Sequence, residues 1–165
     1  MFVVHGTRKF LDRVGKPTAV PFEHSTTLLG DWYATALFWK PQVALFVNES
    51  TLLPVLLPLA PAATVLDRLP AAVATVLEAH AVIRTFIEHE VAEMSERRLA
   101  TTSSRSVVGI MNEFSYLGRS YRLPHGEDAF VGLSLWLAET PCGPLYGRHG
   151  SPDRELAALV ARHRG

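Results

Sequence analysis

The sequence predicts an α+β fold, a small antiparallel β-meander packed against several α-helices, in one globular domain over residues 1–165. Four observations predict it. Residues 30–59, GDWYATALFWKPQVALFVNESTLLPVLLPL, form the densest apolar block of the chain. Lys40-Pro41 and Asn48-Glu49-Ser50-Thr51 cut this block into three strand-length pieces rich in aromatic and β-branched residues. The segments that follow repeat apolar residues at helical spacing. Finally, 165 residues with 48% hydrophobic and 19% charged side chains suffice for one sizeable core and not for two.

In chain order, residues 2–5 suit a short strand, and Thr7 stands where an N-cap would open a helix over 8–14 that Gly15 ends. Residues 16–27 contain Pro17, Pro21 and His24 and read as an irregular connection. The meander occupies 32–58, with one face of its sheet left open. Leu66, Leu69, Val73, Val76 and Leu77 mark a helix over 64–79. Pro70 is expected in its first turn with Asp67 as cap, because an interior proline costs about 3 kcal/mol. A second helix over 82–96 turns Val82, Ile83, Phe86, Ile87, Val91 and Met94 inward.

Residues 99–102 suit another short strand, after which Ser103 or Ser104 caps a helix over 105–117. Gly109 lies inside that helix at a cost of about 1 kcal/mol relative to Ala, implying close packing or a tolerated imperfection. Residues 119–127 read as a loop around Pro124-His125-Gly126. Residues 129–138 alternate like a strand at Leu133, Leu135 and Leu137, yet also read as a helix capped by Asp128, and the helix is preferred. Pro141-Cys142-Gly143-Pro144 is a turn, and Ser151-Pro152-Asp153 opens a last helix over 152–163.

Sixteen basic and sixteen acidic side chains balance to zero net charge, which disfavours nucleic acid as a partner except through a local basic face. With Cys142 as the only cysteine, an internal disulfide or a cysteine-based zinc site is excluded, and a cytoplasmic setting is expected. The amino terminus lacks the layout of a signal peptide, and charges interrupt every apolar run, so no membrane association is expected. Neither a metal nor a cofactor is expected.

Several groups of residues carry chemistry. Four hydroxyl residues and an arginine crowd residues 101–105, at a helix start, followed by Ser106 and, about two turns on, Asn112. Free N–H groups at such a terminus attract anions, and Thr7, Arg8 and Lys9 repeat the pattern. Arg8, Lys9, Ser104, Arg105, Ser106 and Asn112 are therefore candidate anion contacts, against the simpler reading of ordinary capping beside solvated arginines. Residues 88–96 hold four glutamates and no Lys or Arg, whereas 97–122 hold five arginines against Glu113. Those blocks either compensate each other or present Arg97, Arg98, Arg119 and Arg122 to a partner.

Asp31, Trp32 and Tyr33 at the entrance to the sheet would line a pocket or simply close the core. His89-Glu90-Val91-Ala92-Glu93 has the outline of a degenerate zinc motif without its second histidine, and a charged outer helix face explains it. Cys142 would need His149 or His125 as a base to act as a nucleophile, and a rigid turn is its simpler role. Gly-x-Ser-x-Gly elbows and glycine-rich phosphate loops are absent from the sequence.

The segments DWYATALFWKPQVALFVNESTLLPVLLPLAP, TTSSRSVVGIMNEFSYL and AETPCGPLYGRHGSPDRELAALV, in that order, resemble a family of small bacterial proteins known only as a domain of unknown function. Some of its members are encoded on plasmids or near mobile elements. The resemblance covers most of the chain and implies no particular activity. Two functions are compatible with the residues. One is a non-enzymatic binding or adaptor protein of a mobile-element or stress-related context, engaging a protein or nucleic acid through its basic face. The other is an enzyme or ligand-binding protein for a phosphorylated or nucleotide-like small molecule, which requires the helices starting near Arg8 and Arg105 to converge. A homodimer formed by strand pairing is a third arrangement.

Overall fold

In a computed structural model that describes residues 1–121 and 129–163, the meander forms as the turn signals predict. Strands β2 (Trp32–Leu37), β3 (Val43–Asn48) and β4 (Pro54–Pro58) pair antiparallel, with Ala34 opposite Phe46 and Phe46 opposite Val55. Two further strands extend them. Strand β1 (Phe2–Gly6) pairs parallel to β2 with Val4 opposite Trp32, and β5 (Arg97–Thr101) pairs parallel to β1 with Val4 opposite Leu99. The result is a five-stranded mixed sheet of order β4-β3-β2-β1-β5.

Parallel neighbours need crossover connections, and helices supply them here. Helix α1 (Arg8–Val14) lies between β1 and β2, while α2 (Val65–Ala79) and α3 (Arg84–Glu93) lie between β4 and β5. Helix α4 (Arg105–Arg119) follows β5, and α5 (Ala129–Ala138) and α6 (Pro152–Arg162) complete the described chain. The preferred helical reading of residues 129–138 holds.

The expectation of an open sheet face is corrected. Both faces are covered, so β2 and β3 contain no exposed residue. Phe2, Val4, Trp32, Ala34 and Phe46 enter one core with Phe10 of α1, Leu69 and Val73 of α2, Phe86 of α3 and Leu156 of α6. Tyr33, Leu37, Leu45 and Val47 enter the other with Val107, Ile110 and Phe114 of α4 and Leu133 of α5. A strand buried on both sides has no reason to alternate, hence the near-continuous apolar character of β2 and β3 within the 30–59 block.

Local details depart from expectation for identifiable reasons. A 3₁₀ turn over Ala62–Thr64 leads directly into α2 at Val65, so Asp67 lies within the first turn of the helix and Pro70 inside it. Thr7 occupies the N-cap position without a side-chain capping bond, and its hydroxyl donates to Thr35 Oγ1 at 2.9 Å. Ser104 caps α4, its Oγ accepting from Val107 N at 3.3 Å. Helix α3 is shorter than its apolar pattern, and Glu90, expected on a charged outer face, is fully buried. It accepts hydrogen bonds from the backbone N–H groups of Leu28 and Leu29, and burial, the largest influence, raises its pKa.

The two glycines of α4 differ. A Cβ at Gly118 would approach Trp39 Cη2 to 2.7 Å, whereas one at Gly109 would meet nothing within 4 Å among the described residues. Both outer strands are engaged along their edges. Leu56 of β4 donates to Ser134 Oγ at 3.1 Å, and Leu99 O of β5 accepts from Thr18 N and Ala19 N at 2.8 and 2.9 Å. No described helix is long and apolar enough to cross a membrane.

Candidate functional site

Strands β1 and β5 end side by side, Gly6 opposite Thr101, and each feeds a helix that starts within a few residues. Arg8 and Lys9 at the start of α1 are thereby brought to the same edge as Ser104, Arg105 and Asn112 of α4. Ligands of open α/β sheets bind outside the carboxyl ends of parallel strands, and this is that edge.

Three adjoining cavities follow it. The first, of about 450 Å³, is lined by Arg8, Lys16, Thr101 and Thr102. Thr102 also lines the second, of about 420 Å³, with Ser104, Arg105, Gly109 and Asn112. Asn112 in turn lines the third and largest, of about 520 Å³, with Lys9, Phe38, Trp39, Tyr116 and Arg119. Among the predicted anion contacts, Ser106 is exposed on α4 and borders none of the three.

The largest cavity combines charge with aromatic surface. Lys9 Nζ lies 5.7 Å from the centroid of Phe38, within cation–π range. Phe38 and Tyr116 are 58% and 73% exposed, so two large aromatic rings face solvent in the same recess as two cations and an amide. The sequence indicated Lys9, Asn112 and Arg119 but not these rings. The signal for Phe38 was the Phe38-Trp39 pair at the end of an apolar strand, beside Lys40-Pro41, and Tyr116 had none.

Among the described residues of the arginine-rich block, Arg97 and Arg98 have carboxylate partners. Arg97 pairs with Asp67, while Arg98 lies 3.6 Å from both Glu23 and Glu96. Arg119 lines the groove, and Arg122 lies outside the described residues, as do Asp128 and the Pro124-His125-Gly126 loop.

Strand alternation separates the Asp31-Trp32-Tyr33 triplet. Trp32 is fully buried in one core and Tyr33 in the other, while Asp31 turns toward His5 on the Tyr33 side. Tyr33 Oη accepts from Ser104 N at 3.0 Å and lies 3.2 Å from Ser103 Oγ, so it anchors the start of α4 to the sheet. His5, opposite Tyr33 in the parallel ladder, stacks on its ring at 4.7 Å between centroids.

Around His5 the polar contacts are dense. Its Nε2 is 2.8 Å from Asp31 Oδ2 and its Nδ1 is 3.0 Å from Thr101 O. Asp31 Oδ1 accepts from Ser25 N and Ser25 Oγ at 2.9 and 2.7 Å. Burial opposes charge on both partners, yet the hydrogen bonds prevail, raising the His5 pKa and lowering that of Asp31. Glu49 and His24 stand at the exposed rim, and ligand atoms of His5, Asp31 and Glu49 all lie within 4.8 Å of one another. His5, Ser25 and Glu49 did not stand out in the sequence, because a parallel pairing and a loop bring them together.

The remaining candidates have structural partners. Cys142 is buried, donates to Thr140 O at 3.3 Å, and burial chiefly pushes its thiol up to about 11. His149 Nδ1 is held 2.8 Å from Glu155 Oε1. In the His89 to Glu93 segment, Glu93 accepts from Thr26 Oγ1 at 3.1 Å, and Glu90 points inward as described.

The molecule is thus an α+β protein with a cationic, aromatic-lined groove at the carboxyl edge of its parallel strands. The chain belongs to the family described as domain of unknown function DUF6933, whose model matches residues 3–155. No curated protein and no solved structure matches the chain.

Proposed function

We propose that the protein binds a nucleotide-like or phosphorylated small molecule in the groove between α1 and α4. The observation that carries this proposal is the convergence of Lys9, Arg119 and Asn112 with Phe38, Trp39 and Tyr116 on one cavity of about 520 Å³. That volume falls within the roughly 300–1,000 Å³ of small-molecule sites. Lys9 and Arg119 supply positive charge and N–H donors for a phosphate. Phe38 and Tyr116 offer exposed ring faces on which a base stacks, and the Asn112 amide offers both a donor and an acceptor. A partner-binding role through the arginine-rich block has less support, since Arg97 and Arg98 are already paired with carboxylates.

Calorimetric titration with AMP, adenosine and inorganic phosphate tests the proposal. AMP is expected to bind more tightly than either fragment, because it alone engages both the cations and the rings. Arg119→Glu is expected to weaken AMP by at least about tenfold, the equivalent of a charged hydrogen bond worth about 1.5–3 kcal/mol. Failure of all three ligands to bind, or an unchanged AMP affinity in Arg119→Glu, would overturn it.

A further inference from the structure

We propose that His5, Asp31 and Glu49, with His24 at the rim, form a binding site for a first-row divalent cation of the Zn²⁺ type, on the sheet face that carries Tyr33. This inference is independent of the groove. Imidazole nitrogen with carboxylate oxygen is a donor set that suits such ions rather than Mg²⁺ or Ca²⁺.

Three observations support the site. First, both ring nitrogens of His5 face acceptors, Thr101 O at 3.0 Å and Asp31 Oδ2 at 2.8 Å. With Nδ1–H donated to the carbonyl, the Nε2 lone pair points at carboxylate oxygen, an arrangement that takes either a second ring proton or, in its place, a cation coordinated by both groups. A carbonyl that fixes the far nitrogen of a ligating histidine is the usual outer support of a metal site. Second, Asp31 is 5% exposed and its other oxygen is held by Ser25 N and Oγ, which orients Oδ2 toward His5.

Third, the β2–β3 register, with Trp32 opposite Asn48, places Asp31 beside Glu49, and Glu49 N donates to Asp31 O at 3.0 Å. Like charges opposed across a ladder are destabilising unless something compensates them. Ligand atoms of His5, Asp31 and Glu49 lie within 4.8 Å of one another, and His24 Nδ1 is 3.8 Å from Asp31 Oδ2. Neighbouring ligands at the usual bond lengths of about 2.0–2.2 Å stand roughly 3–3.5 Å apart, so an entering ion requires His5 and Asp31, in direct contact at 2.8 Å, to part slightly while the exposed Glu49 and His24 swing inward. Their exposure also leaves an entry path.

The test uses untagged, chelator-stripped protein titrated with Zn²⁺ and with Co²⁺. Binding of one ion per chain is expected, with visible d–d absorption for Co²⁺ and displacement of the His5 Nε2 proton in ring ¹H–¹⁵N spectra. Glu49→Gln, at an exposed position, is expected to keep the fold and weaken binding by at least about tenfold, with a similar loss in Asp31→Asn. Absence of stoichiometric binding would overturn the proposal. So would unchanged affinity in Glu49→Gln, or a His5 ring that stays protonated on both nitrogens at neutral pH with Zn²⁺ present.

Discussion

Replacing Gly109 by Ala probes the packing and stability of helix α4. Glycine costs a helix interior about 1 kcal/mol relative to alanine, and none of the described neighbours requires its small size. Gly109→Ala should therefore stabilise the protein by up to about 1 kcal/mol, raising Tm by roughly 2–4 °C for a domain of this length. Gly109 lines the cavity of Ser104, Arg105 and Asn112 and not that of Lys9 and Arg119, so AMP affinity should stay within about twofold as stability rises. Gly118→Ala is the control on the same helix. Its Cβ would stand 2.7 Å from Trp39 Cη2, and overpacking of this kind costs about 1–3 kcal/mol, enough to cancel or exceed the helical gain. Urea denaturation followed by circular dichroism measures both. A destabilised Gly109→Ala, or a Gly118→Ala that gains as much as Gly109→Ala, would refute this reasoning.

Three other outcomes are expected. Tyr33→Phe removes the acceptor for Ser104 N and should cost about 1–2 kcal/mol in urea unfolding, with earlier hydrogen exchange at the start of α4. His80 has a pKa lowered by burial, against weaker opposing charges on Asp153 and Glu139, and its Nε2 is buried without a partner among the described residues. Since the folded pKa lies below the ordinary 6.5, the associated stability is present above pH 6.5 and is lost as pH falls through the folded value. Thermal unfolding of wild type and His80→Gln across that range should show a flatter acid limb in the variant. Cys142, a buried thiol pushed up to about 11, should resist iodoacetamide in the native state at neutral pH and react on unfolding.

The meander was legible because its signals are local: apolar pieces of strand length, with a proline and a polar tetrad between them. Strands β1 and β5 were legible only as isolated short strands over 2–5 and 99–102, the second beginning two residues earlier in the structure, at Arg97. Their parallel pairing joins residues far apart in the chain, with Val4 opposite Leu99, and no local pattern encodes such a contact. The same pairing explains the uneven recovery of the site. Arg105 and Asn112 could be singled out because a hydroxyl-rich helix start is a local feature. His5 and Glu49 could not, since they meet through sheet register and a turn. Glu90 misled because helical periodicity places it among solvated glutamates, while the N–H groups of Leu28 and Leu29 draw it inside.

The most direct test of ligand binding in the groove is a ¹H–¹⁵N titration of the protein with AMP. Saturable shifts are predicted for the amides of Lys9, Phe38, Asn112, Tyr116 and Arg119, which line one cavity across two helices and a strand end. Shifts confined to other surfaces, or no saturable shift at all, would contradict it.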